Sequence, residues 1–232
     1  ALTLIALGLA FVGWVAFAVA GVFRDSSQPQ TQPAPIVAPP TLKIIFPEGF
    51  TRAQMAERIK AVNQIARRKR KINPKLSSRA YLAATARSKI PGKFAGDHER
   101  RQLEGFLFPS TYDFVQKTTS RQLVKAQVKA FCTNWKHVDL KYAKSKNLTP
   151  YDVLVIASMV EKETLAPEER KLVAAVIYNR LHQRMPLQID ATLRYGLNIP
   201  PTQSILESQL RSDNPYNTRK LPGLPPTPIA NP

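Results

Sequence analysis

Ile156, Met159, Val160 and Glu163 recur at i, i+3, i+4 and i+7, a spacing that sets the Glu163 carboxyl on the apolar stripe of a helix. Desolvation on such a stripe raises a carboxyl pKa and keeps the group protonated, the condition a general acid for glycosidic cleavage requires. Glu161 falls in line with Leu154, Ala157 and Ser158, a mixed face. There it is either a second active carboxyl or, the reading we prefer, an ion-pair partner of Lys162 or Arg170. After Pro186, Gln188, Asp190 and Thr192 alternate with Leu187, Ile189 and Ala191. Read as extended chain, this puts three polar side chains on one face, lining a sugar groove or facing solvent at a sheet edge. Spacing alone leaves Glu163 open between an acid and a solvated carboxylate near a helix end. His98, His137 and His182 are scattered and form no cluster with Cys132, so neither a metal nor a cofactor is expected. Cys132, among Val124, Val128, Phe131 and Trp135 at helical spacing, reads as a core filler.

The elements that must hold these residues are marked by helix starts. Thr149-Pro150-Tyr151-Asp152 carries a capping residue, a first-position proline and an acid favourable to the helix dipole, and predicts a helix through about Thr164. A second helix is expected from near Pro167 to about Gln183, burying Leu172, Val173, Val176, Ile177 and Leu181. Upstream, Leu42 to Phe46 reads as a strand, Pro47-Glu48-Gly49 as a turn, and Thr51 with Gln54 as a capping box opening a short helix through Ile59. Further helices are expected around Arg79 to Lys89 and from about Ser120 to Trp135. No internal repeat is present.

The chain has 232 residues and a formal charge of +18, room for one catalytic unit rather than a large multidomain enzyme. Ala1 to Phe23 contain no charged side chain and no proline, enough at helical rise to cross a bilayer, which takes about 20 residues. A retained transmembrane helix is favoured over a cleaved signal, whose core runs to roughly 7–15 residues. Residues 24–41, rich in Pro, Gln and Ser, read as a linker. Between Arg58 and Gly96 there are twelve Lys or Arg residues and no acid, centred on Arg67-Arg68-Lys69-Arg70-Lys71. Such a field suits anionic lipid, acidic wall polymer or nucleic acid, and nucleic acid is the least expected partner for a chain outside the cell.

Several ordered runs together resemble the endolytic murein transglycosylases of the YceG-like (MltG) family. They are Ala157-Ser158-Met159-Val160-Glu161-Lys162-Glu163-Thr164, Val176-Ile177-Tyr178-Asn179-Arg180-Leu181, Leu187 to Thr192 with Tyr195-Gly196, Pro215-Tyr216-Asn217-Thr218, and Gly223 to Pro232. Leu103 to Tyr112 resembles the segment before that family's catalytic helix, and Phe46-Pro47-Glu48-Gly49-Phe50 its LysM-like module. The resemblance implies an α+β chain with a transmembrane helix (1–23), a linker (24–41), a small LysM-like strand-helix module with the basic stretch (42–100) and a mainly helical catalytic domain (101–232). Family members continue beyond Ile229-Ala230-Asn231-Pro232, so the catalytic domain is expected to be cut short here and the LysM-like module shortened. The implied acid and base is Glu163, and the implied substrate-binding residues are Asn179, Gln188, Asp190, Tyr216 and Asn217.

The implied reaction uses one carboxyl twice. Glu163 protonates the β-1,4 oxygen between MurNAc and GlcNAc, then takes the proton of the MurNAc 6-hydroxyl as it closes a 1,6-anhydro ring. The implied setting is the bacterial inner membrane, single-pass, with the catalytic domain outside the cell. Glycan strands are the substrate and peptidoglycan synthases the expected partners. The alternatives are a hydrolytic muramidase using Asp190 or Glu161 as second carboxylate, and a wall-binding protein that does not cut.

Overall fold

The computed structural model describes residues 39–86, 88–89, 91, 94 and 100–232. The apolar run 1–23 and nearly all of the linker lie outside the described residues. Among the described residues no helix is long and apolar enough to cross a membrane.

Strand β1 (Leu42–Ile45) pairs antiparallel with β4 (Thr111–Phe114), Leu42 opposite Phe114 and Ile45 opposite Thr111. Leu42 and Ile44 alternate inward, as period two requires. A second short pair joins β2 (Ser88–Lys89) to β3 (Arg100–Arg101).

Helix α1 spans Arg52–Arg70, far beyond the short helix to Ile59 that the capping box suggested. Ala, Gln, Arg and Lys sustain it, and no proline interrupts it before Pro74. It stops where Lys71 turns left-handed. Its start is as the sequence implied, with Gln54 N–H donating to Thr51 Oγ1 at 3.2 Å and Thr51 N–H to Gln54 Oε1 at 2.8 Å. Helix α2 (Ser78–Ala86) and α3 (Ser120–Trp135) complete the first layer. Tyr81 in α2 donates to Gln127 of α3 at 2.7 Å in the buried interior. Phe94, Phe106, Phe131 and Trp135 form an aromatic cluster, and Cys132 packs against the same core.

After the short α4 (Lys141–Ser145), α5 (Pro150–Glu163) begins with the expected box: Asp152 N–H donates to Thr149 Oγ1 at 3.1 Å, and Thr149 N–H to Asp152 Oδ2 at 2.8 Å. This helix divides the molecule. Leu154 belongs to the first core, whereas Val155, Ile156, Met159 and Val160 join Ile177, Leu187, Ile189 and Ile229 in a second. The first core also crosses residue 100, drawing on Leu103, Phe106, Leu107 and Phe114 together with α3.

A 3-10 turn (Pro167–Glu169) leads into α6 (Arg170–His182), followed by α7 (Asp190–Leu197) and α8 (Glu207–Leu210). Two expectations fail here. In α6 only Ile177 is fully buried, while Leu172 and Val176 are exposed, because the helix lays one narrow face on α5. The segment Gln188 to Thr192 is not extended. Gln188 takes φ of 57°, the chain enters α7 at Asp190, and Thr192 turns inward to donate to the Ile189 carbonyl at 2.7 Å.

Candidate active site

Glu163 is the last residue of α5, and Thr164 after it is extended, with its N–H and hydroxyl both donating to the Val160 carbonyl. The stripe that predicted Glu163 is buried through Ile156, Met159 and Val160, but it surfaces at the helix end, so Glu163 itself is exposed. Its pKa is nonetheless raised. Partial desolvation is the main cause, the neighbouring Asp190 charge adds to it, and hydrogen bonding from the Ala191 backbone opposes it. The carboxyl therefore meets the start of α7 while keeping an open side, the arrangement a proton donor to an incoming glycosidic oxygen needs.

The start of α7 is fixed by the segment Pro215 to Thr218. Gln188 N–H donates to the Thr218 carbonyl at 2.9 Å, Ile189 N–H to Thr218 Oγ1 at 3.1 Å, and the Thr192 and Thr218 hydroxyls share a bond of 2.9 Å. Asp190 receives Arg219 Nε at 2.6 Å.

Ala191 also lines a cavity of about 740 Å³ bounded by Arg52, Gln102, Glu104, Lys162, Tyr195 and Tyr216, among others. Its most unusual group is Glu104, 2% exposed. Its carboxyl accepts from Arg52 N–H at 2.9 and 3.2 Å, Tyr195 hydroxyl at 3.0 Å and Asn231 Nδ2 at 2.8 Å. Burial outweighs these donors and pushes its pKa up to about 7. Lys162, on the same wall, is held below the usual lysine range by desolvation, against the attraction of Glu104 and Glu161.

Asn231 ties this wall together. Its Nδ2 also donates to the Phe50 carbonyl at 2.9 Å, its Oδ1 accepts from Leu107 N–H at 2.8 Å, and its carbonyl accepts from Gly49 N–H at 2.9 Å. Gly105 lies against Pro228 with φ of 86°, and a Cβ there would sit 2.7 Å from the proline ring, so only glycine fits.

The remaining sequence-derived residues are distributed unevenly. Tyr216 lines the cavity, its ring 5.1 Å from that of Tyr195 and its hydroxyl 2.8 Å from Thr227 Oγ1. Asp190 lies close enough for its charge to act on Glu163. Gln188 is exposed and accepts from Arg180 at 3.2 Å, and Asn179 is exposed on α6. Asn217 is fully buried. Its amide donates to the Leu210 and Ser212 carbonyls at 2.9 and 2.8 Å and its oxygen accepts from Arg219 N–H, which leaves no group free toward a ligand. Glu161 pairs with Arg170 at 3.2 Å, as preferred from sequence, and Arg170 also reaches Glu48. No grouping of His, Cys, Asp and Glu among the described residues could hold a metal ion.

Glu104, Lys162 and Tyr195 were not among the site residues expected from the sequence. The signal for Glu104 was a lone acid inside the run Leu103 to Phe108, otherwise apolar or glycine, where a carboxyl is buried with its neighbours.

Comparison with known proteins gives a consistent result. A model of the YceG-like family matches residues 23–232. An endolytic murein transglycosylase of Streptococcus pneumoniae is 35% identical over 212 residues, covering 82% of this chain and 36% of that protein. One of Bacillus subtilis is 40% identical over 134 residues, covering 57% of this chain and 36% of that protein. The chain thus spans about a third of the length of these relatives. A crystal structure of a YceG-like protein from Listeria monocytogenes superposes with a TM-score of 0.64 at 30% identity, over 84% of this chain and 64% of that one. With the family model matched over nearly its whole length, the chain belongs to the YceG-like family.

Proposed function

We propose that this chain carries the catalytic centre of an endolytic murein transglycosylase, cleaving the β-1,4 bond between MurNAc and GlcNAc without water and leaving a 1,6-anhydro-MurNAc end. The observation that carries the reading is Glu163: a carboxyl with raised pKa at the exposed end of a well-packed helix, hydrogen-bonded to the backbone of cavity-lining Ala191, in a chain whose relatives bear that name.

Protonated Glu163 donates to the glycosidic oxygen, and the resulting carboxylate takes the proton of the MurNAc 6-hydroxyl as that oxygen attacks the anomeric carbon. The substrate's N-acetyl group stabilises the intermediate, so no second carboxylate is required, unlike the usual paired arrangement. Tyr216 and Tyr195 offer ring faces to a sugar, and Gln188, Asp190 and Asn179 polar contacts along the approach. Asn217 serves by holding the loop that fixes α7.

Glu104 is the competing acid, because it lines the cavity and its pKa of about 7 suits proton transfer at neutral pH. Its oxygens are already taken by three donor groups and it is nearly sealed from solvent. Glu163 is open. We therefore assign the chemistry to Glu163 and the shape of the groove to Glu104.

The chain is further proposed to be held in the bacterial inner membrane by residues 1–23, facing outward and working beside peptidoglycan synthases. A soluble processed form, or a domain shielded from protease in intact spheroplasts, would contradict that placement. Mass spectrometry of glycan fragments released from peptidoglycan tests the reaction. Anhydro ends, lighter by one water than reducing ends, support it, and reducing ends alone would make the enzyme a hydrolytic muramidase.

A further inference from the structure

Two stretches of sequence lack acids, Arg58 to Gly96 and Val115 to Val138, and both are rich in Lys and Arg. The fold brings parts of them to one end. Lys75 N–H donates to the Gln116 carbonyl at 2.8 Å, Ser77 N–H donates to Ser120 Oγ at 2.9 Å, and Ser120 Oγ donates back to the Ser77 carbonyl at 2.9 Å. The Arg67 to Lys71 run at the end of α1 is thereby joined by Lys75, Arg79, Lys117 and Arg121, all exposed. None of these nine is ion-paired among the described residues. Ile65, half a turn to a turn before the run, is also exposed, an apolar side chain beside the cations.

The position of this end in the fold indicates its partner. Leu42 pairs with Phe114, so β1 begins where the chain goes on to Gln116 and Lys117, and residues 39–42 enter beside the basic end. The other end of β1 leads to Gly49, against Glu161 and the candidate site. Helix α1 separates the two. It starts at cavity-lining Arg52 and its 19 residues cover about 28 Å, several times the screening length of about 8 Å at physiological salt.

We infer that the Arg67 to Lys71 run, with Lys75, Arg79, Lys117 and Arg121, is a docking surface for the anionic headgroups of a lipid bilayer, which points the glycan-cutting end away from the membrane. Uncompensated cations next to an exposed isoleucine suit an interface of anionic headgroups over hydrocarbon. The chain reaches this end from its charge-free apolar run. The orientation rests on the proposed membrane attachment, while the lipid contact is tested separately from the reaction.

The test uses the full chain reconstituted in vesicles of phosphatidylcholine, with or without phosphatidylglycerol, and acetylation of surface lysines by a water-soluble reagent read by mass spectrometry. Lys69, Lys71, Lys75 and Lys117 should react at least about fivefold more slowly in anionic vesicles, since each basic residue near such a surface contributes a factor of about five. Lys144 and Lys171, elsewhere on the surface, should not change. High salt, or the exposed reversals Arg67→Glu, Arg68→Glu and Arg70→Glu together, should abolish the protection while cleavage of soluble glycan is retained. Equal reactivity in both vesicles would overturn the inference. So would protection appearing only when soluble glycerol-phosphate polymer is added, which would assign the surface to the wall.

Discussion

Replacing Glu104 by Gln keeps the size and shape of a side chain that bridges Arg52 N–H, the Tyr195 hydroxyl and Asn231 Nδ2, but removes its titration. In the folded protein this carboxyl is raised from 4.5 to about 7, chiefly by burial, so the native state holds its proton where the unfolded chain has released it. Stability rises with pH only where the unfolded state binds more protons, and here it binds fewer. The wild type must therefore lose stability relative to Glu104→Gln as pH climbs from about 4.5 to about 7, and stay level above. At about 1.4 kcal/mol for each pH unit across that interval, the change amounts to about 3 kcal/mol. Urea unfolding of both proteins in detergent, followed by fluorescence, gives the difference between their stabilities at pH 5, 6, 7 and 8. Within that series, the wild type's advantage should shrink, or its deficit grow, by about 2–3 kcal/mol, since pH 5 already lies inside the interval. A difference independent of pH, or one that favours the wild type more at pH 8, would mean instead that the donors outweigh burial and hold Glu104 ionised.

Gly105→Ala should destabilise the fold by about 2–4 kcal/mol, because a Cβ 2.7 Å from Pro228 adds overpacking to a left-handed backbone, and a lowered midpoint in urea checks it. Asp190→Asn removes the negative charge that raises the Glu163 pKa and frees Arg219. The loss of activity with rising pH should therefore begin at lower pH, read from kcat/KM against pH, and an unmoved alkaline limb would uncouple the two residues. Glu161→Gln breaks the pair with Arg170. The pair is partly exposed, so the cost should stay within about 1 kcal/mol, with turnover largely kept.

Much of the framework was legible because its signals are local. The boxes at Thr51 and Thr149 form as written, the Val124 to Trp135 stripe packs inward, and β1 alternates as expected. What failed depended on tertiary neighbours. The pattern of α6 looked amphipathic, yet Leu172 and Val176 stay exposed because among the described residues only one narrow face meets α5. The alternation at Leu187 to Thr192 suggested extended chain until Thr218, 26 residues from Thr192, captured both Ile189 and Thr192. Glu163 was singled out by its stripe and by the resemblance together. Glu104 escaped because its partners, Arg52, Tyr195 and Asn231, are brought to it only by the fold.

Glu163 is proposed here as the single acid and base. Glu163→Gln preserves shape and removes the transferable proton, so folding and glycan binding should persist. General acid–base contributions run to about 10²–10⁴-fold, and with one carboxyl serving both steps the loss should reach the upper part of that range. The measurement is release of 1,6-anhydro-MurNAc products from peptidoglycan by the full chain in detergent, with Glu161→Gln and Glu104→Gln as matched controls. Near-complete loss is expected in Glu163→Gln and substantial release in both controls. Near-normal anhydro-product release by folded Glu163→Gln protein would contradict it, and selective loss in Glu104→Gln would move the proton donor into the cavity.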